Sequence, residues 1–202
     1  MTTITTIAFA DLDAEQKIAA VEMYTDREKD STDNLFSEGV VEYYRETVLP
    51  EYGINGTDAT IHWSGFWSQG DGASISTDSV DAEKFLRKIK ALTKYRSIRH
   101  LLNEDDLAMS VERSHSRYAH ENTVSGYIET AYTDLTVKQA ALADDLENVL
   151  TETIRELSCE LYRELEKAYD DYYSTESMVN QIEGNGYQFE VNEDGDVVGI
   201  EY

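Results

Sequence analysis

The chain has 202 residues, 41% of them hydrophobic, with 14 Tyr, 5 Phe and a single cysteine, enough for one well-buried domain and too apolar for global disorder. Its 41 acidic and 17 basic residues give a formal net charge of -24, which opposes direct nucleic-acid binding and favours a partner with a basic surface. The lone Cys159 excludes a disulfide framework, no apolar run approaches the ~20 residues of a membrane span, and the N-terminus lacks the basic and apolar regions of a signal peptide, so a soluble, intracellular protein is expected.

Weak alternation over residues 4–9 (Ile4, Ile7, Phe9) predicts a short strand. Asp13 and Gln16 stand at capping-box spacing, and a helix follows to about Lys29. After a polar loop, a second helix over about Asn34 to Leu49 carries Leu35, Val41, Tyr44 and Val48 at helical spacing and is expected to stop before Pro50, the only proline. A strand over Thr60 to Phe66, a glycine-rich loop and a second strand near Ala73 to Ser76 come next. A helix over about Ala82 to Ser97 holds Phe85, Leu86, Ile89 and Leu92 on one side and Lys84, Arg87, Lys88 and Lys94 on the other, within a stretch, 84–99, that has seven of the chain's 17 basic residues. Residues 82–99 carry a net +6, which leaves −30 for the rest of the chain.

A short helix around Leu101 to Leu107 and two strands, Met109 to Ser116 and Val124 to Tyr132, complete the central part. From Thr136 to about Tyr173 an apolar stripe (Leu142, Leu146, Leu150, Ile154, Leu157, Leu161, Leu165, Ala168 and Tyr172) predicts one long amphipathic helix. A helix over about Glu176 to Ile182, stopping at Gly184, and a hairpin turning at Asp194-Gly195 close the chain. The fold class expected is α+β: a small antiparallel sheet packed by helices, in a single domain over residues 1–202, with the 136–174 helix and the 187–202 hairpin as an appendage.

Three groups of residues are candidates for function. The loop from Ser64 to Ile75 contains Phe66, Trp67, Gln69, Gly70, Asp71 and Gly72. Its N–H groups and Asp71 suit a phosphate or a metal, but no Gly-Lys-Ser/Thr follows and only Asp71 and Asp78 lie nearby, so neither a Walker motif nor an EF-hand is present. The favoured reading is a tight bulged turn that packs Trp67 into the core. His115 and His120 lie with Glu121 on one strand-turn, and His62, His115, His120 and Asp71 would form a metal or acid–base site if the strands brought them together. Histidines bonded within a sheet are the plainer reading. The third group is the row Glu152, Glu156, Glu160 and Glu164. Spacing of four places these carboxylates on one helix face about 6 Å apart along the axis, a charge row continued by Asp170 and Asp171 and comparable to one strand of DNA. The alternative is a solvated face paired locally through Arg155 and Arg163. For the basic residues of 84–99, internal pairing with the acidic helix is expected.

Four segments, in order, resemble a family of small acidic proteins found mostly in bacteriophages and prophages and loosely called antitoxin-like. They are Phe9-Ala-Asp-Leu-Asp-Ala-Glu-Gln-Lys-Ile-Ala-Ala, Ser64-Gly-Phe-Trp-Ser-Gln-Gly-Asp-Gly-Ala, Ser116-Arg-Tyr-Ala-His-Glu-Asn, and Leu161-Tyr-Arg-Glu-Leu-Glu-Lys-Ala-Tyr-Asp with Gly186-Tyr-Gln-Phe-Glu-Val-Asn-Glu-Asp-Gly. The second is the specific one. The resemblance implies a phage-derived protein acting in the cytoplasm of a bacterial host, and implies no chemistry. The chain departs from the family in its stronger acidity and in Ser74, where the family often has Cys.

Charge and resemblance together predict a phage-encoded inhibitor, of the anti-CRISPR or anti-restriction kind, that binds a host nucleic-acid-binding defence protein by DNA-mimic-like charge. A homodimer is compatible with the long helix, and neither a cofactor nor a membrane is expected. Two alternatives stand beside it. One is an antitoxin-like protein that neutralises a toxin partner; the other is a small metal- or nucleotide-dependent enzyme using Asp71, His115 and His120.

Overall fold

The computed structural model describes residues 3–31, 35–103, 107–114, 117–130 and 135–201. In chain order the elements are β1 (Thr5–Ala8), α1 (Ala14–Asp30), α2 (Leu35–Tyr43), a π-helical turn (Tyr44–Val48) and α3 (Leu49–Glu51). These are followed by β2 (Thr60–Ser64), β3 (Gly72–Ser76), α4 (Ala82–Lys88), α5 (Arg99–Asn103), β4 (Leu107–Arg113) and β5 (Val124–Thr130). The chain ends with α6 (Val137–Tyr172), α7 (Thr175–Asn185), β6 (Gln188–Val191) and β7 (Val197–Glu201). The class is α+β, as expected. Internal contacts divide the chain into two compact units, Met1–Ser37 with Lys167–Tyr202, and Glu38–Glu166.

In the first unit, β1, β6 and β7 form a three-stranded antiparallel sheet in the order β1-β6-β7. Thr5 pairs with Val191, and Gln188 with Glu201. The closing hairpin is therefore the centre and one edge of a sheet whose other edge is the N-terminal strand. Its turn is set by Gly195 at φ +92° and by the Asn192 Oδ1, which accepts hydrogen bonds from the Asp194 and Asp196 N–H groups at 3.0 and 2.8 Å. The Asp13 side chain caps α1, with Gln16 completing the box. Phe9, Leu12, Ala20, Tyr24, Met178, Ile182, Phe189 and Val191 are the buried core. Helix α7 runs past Gly184, which has open space around it, and ends at Gly186, whose φ of +69° makes the left-handed cap.

In the second unit, β2 pairs antiparallel with β3 (Thr60 with Ser76) and β4 with β5 (Leu107 with Thr130). The two pairs are joined by one antiparallel bridge, Thr77 with Val111. The expected strand ends at Ser116 and Tyr132 lie outside the described residues. Helix α6, 36 residues long and about 54 Å from end to end, contributes Leu146, Leu150, Ile154, Leu157, Leu161 and Leu165 to the core of this unit. It also finishes the free edge of β5. Thr151 Oγ1 accepts from the Gly126 N–H at 2.8 Å, Glu147 Oε2 accepts from the Ile128 N–H at 3.1 Å, and Arg155 donates to the Val124 carbonyl at 3.0 Å. Side chains thus satisfy backbone groups that an edge strand otherwise leaves open.

Two further helix ends differ from expectation. Helical structure continues through Pro50 instead of stopping before it, because a π turn precedes it and Pro50 falls in the first turn of α3, where the missing N–H costs little. The expected 82–97 helix ends at Lys88. Lys90 adopts φ +58°, its N–H donates to the Arg87 carbonyl at 3.1 Å, and the Ala91 N–H donates to the Leu86 carbonyl at 2.8 Å. This is a Schellman stop made by a lysine in place of glycine.

Candidate functional site

The 64–72 loop is a self-closed turn. Asp71 accepts from the Ser64 hydroxyl at 3.1 Å and from the Ser68 N–H at 2.7 Å. Both carboxylate oxygens therefore serve the loop itself. Gly70 (φ +93°) lies so close to the neighbouring 117–120 segment that a Cβ would fall 1.9 Å from the Tyr118 ring, and a Cβ on Gly72 would fall 2.5 Å from the His120 Cα. The Ala119 N–H donates to the Gly70 carbonyl at 3.3 Å, and Arg113 donates to the Tyr118 carbonyl at 2.6 Å. The glycines are required by this close backbone approach.

Trp67 is not packed into the core. It is 71% exposed, at φ +71°, a conformation that costs a bulky residue roughly 1–2 kcal/mol. Phe66 turns inward instead. Its ring lies 6.2 Å from Trp63, 5.4 Å from Tyr162 and 5.6 Å from Trp67, and Tyr162 donates from its hydroxyl to the Gly65 carbonyl at 3.2 Å. With Phe66 anchored on α6, the next residue has to point away. Gln69 is exposed.

Among the described residues, neither His62 nor His120 shares a hydrogen bond with Asp71. His120 accepts from the Asn122 N–H through Nδ1 at 3.2 Å and stacks on Tyr118 at 5.9 Å, while Glu121 accepts from the Asn122 amide at 2.8 Å. His62 stands opposite Ser74 in the β2–β3 register, and partial burial followed by the Arg113 guanidinium pushes its pKa down. His115 lies outside the described residues. Among the described residues, no group of three or more His, Cys, Asp and Glu is placed to hold a metal ion. The half-buried Cys159 has its thiol pKa raised by burial and then by Glu121, which keeps it in the unreactive protonated form.

Charge divides unevenly over the surface. Five of the basic residues of 84–99 have carboxylate partners: Lys84 with Asp81 at 3.7 Å, Arg87 and Arg99 with Glu83 at 3.0 and 3.3 Å, Lys94 with Asp145 at 2.6 Å, and Lys88 with Glu51. Only Asp145 among these partners belongs to α6. Glu152, Glu156, Glu160 and Glu164 are all exposed, and among the described residues none of them forms an ion pair. Arg155, three residues from Glu152, is turned away to the Val124 carbonyl. At 3.6 residues per turn each step of four advances about 40° around the axis, so the row winds about 120° from Glu152 to Glu164. Its far end flanks Tyr44, whose phenol is pushed up to about 12 by burial and then by Glu160 and Glu164. Asp170 and Asp171 are also exposed, and belong to the other compact unit.

Sequence reasoning missed the outward Trp67 and the supporting Tyr162 and Tyr118. The signal was present: two adjacent large aromatics in a tight turn cannot both enter one core. No curated protein and no solved structure matches the chain. A family model matches residues 36–175, well over half of the chain, and the protein belongs to the family described as a domain of unknown function, DUF8835.

Proposed function

We propose that this chain is a phage-encoded acidic inhibitor that occupies the basic surface of a host protein, one that ordinarily binds nucleic acid. The observation that carries this reading is the contrast between the two charged faces. The cations of 84–99 are mostly paired within the chain, whereas Glu152, Glu156, Glu160 and Glu164 are exposed and lack an ion-pair partner among the described residues. Like charges at this spacing cost a helix a few tenths of a kcal/mol per pair, and an acidic field steers basic partners toward the surface. The resemblance to phage proteins supports the cellular setting.

The test is capture of the partner from bacterial lysate by the wild-type chain and by a variant carrying Glu152→Lys, Glu156→Lys, Glu160→Lys and Glu164→Lys. Affinity is expected to fall by about tenfold or more in the variant and to decline steeply with added salt. Binding that persists in molar salt, or that ignores the reversal, rules this reading out.

A further inference from the structure

We propose that Trp67 is a presented anchor for an arginine side chain of the basic partner, the guanidinium stacking on the indole. This rests on the acidic-inhibitor reading and adds to it the residue that would set which cation is preferred. Trp67 is the most exposed of the chain's described aromatic side chains, at 71%, and it sits at φ +71°. Strain of that kind persists only where the surroundings over-determine it, and here they do. Asp71 ties the Ser68 N–H and the Ser64 hydroxyl, Phe66 is held against Trp63 and Tyr162, and Gly70 is pressed against Tyr118. The loop therefore holds Trp67 in a strained conformation with 71% of its surface exposed.

The neighbourhood selects the ligand. Trp67 touches Phe66, whose ring faces Tyr162 on α6, and Tyr162 lies in the combined field of Asp71 and Glu166. Glu166, one turn beyond Tyr162 on α6, and Asp71 in the loop together make this side of the surface negative. Indole is the best cation–π acceptor among the side chains, and arginine's planar, weakly hydrated guanidinium stacks on it where a lysine ammonium remains a hydrated point charge. An exposed aromatic in a field of negative charge thus fits a basic surface that presents arginine.

Titration with nona-arginine and nona-lysine peptides at one ionic strength separates the two ideas. Trp67→Ala is expected to weaken nona-arginine binding by about 2- to 5-fold and to leave nona-lysine binding unchanged, with Trp67→Phe keeping part of the preference. Equal losses for both peptides, or no loss for either, overturns the anchor. A variant with Glu152→Gln, Glu156→Gln, Glu160→Gln and Glu164→Gln is expected to weaken both peptides alike. If it weakens neither, the acidic-row reading fails on its own, and the arginine-over-lysine difference at Trp67 is still read independently.

Discussion

Gly70 occupies the tightest point of the loop. Its φ of +93° and the 1.9 Å separation that a Cβ would have from the Tyr118 ring both exclude a side chain, for separate reasons. Gly70→Ala is therefore expected to cost about 2–4 kcal/mol by urea denaturation, the sum of left-handed strain and displacement of the Tyr118 ring. A cost below about 1 kcal/mol would mean that the 117–120 segment gives way freely. The need for glycine here was legible in the sequence, because Gly70-Asp71-Gly72 between two strand patterns has few other uses. The direction of Trp67 was not. Strand alternation lapses inside a turn, so pattern alone assigns no face, and only the contact of Phe66 with Tyr162, 96 residues further on, decides which ring goes in. Ser74 shows the same limit: its hydroxyl is buried without a hydrogen-bond partner among the described residues, an environment that a small apolar thiol suits better.

Elements were legible where periodicity is long and the stop signal is chemical. The capping box at Asp13, the α6 stripe and the Asp194-Gly195 turn were all readable for that reason. Element ends failed where the backbone used an unusual residue: Lys90 terminates α4 in a position that usually announces itself by glycine, and the π turn at Tyr44–Val48 carries helix past Pro50. That π turn also buries Tyr44 beside α6, which gives a pH prediction. Its phenol is raised from an ordinary value near 10 to about 12, so the folded state favours the protonated form. The stabilisation is complete below pH 10 and is lost as pH rises from 10 through about 12. At most this amounts to roughly 2–3 kcal/mol. Tyr44→Phe is expected to flatten the fall of stability over that window relative to the wild type, measured by denaturant midpoints. Superimposable alkaline profiles would show that other buried tyrosines carry the whole effect.

At the scale of the whole chain, the two compact units have separate cores and different charge densities. The unit formed by Met1–Ser37 and Lys167–Tyr202 holds 17 acidic and 4 basic residues, and Glu38–Glu166 holds 24 and 13. The sequence showed the lack of cations after Lys167 but not this division, because the helical stripe runs unbroken through the boundary at Glu166–Lys167. Every buried residue of the larger core, from Tyr44 to Leu165, lies within Glu38–Glu166, and the DUF8835 match at residues 36–175 contains that unit entirely. A domain with its own core and with the edge of β5 satisfied by its own helix has what independent folding requires. A fragment of residues 36–175 is therefore expected to unfold cooperatively on heating, with near-ultraviolet circular dichroism from the Trp63, Phe66 and Tyr162 cluster intact below the transition. Added salt is expected to raise its midpoint by screening the acidic excess, and to raise that of the full chain further, since the full chain carries the greater net negative charge. A fragment that melts without cooperativity would mean that the buried apolar surface of Glu38–Glu166 is insufficient by itself.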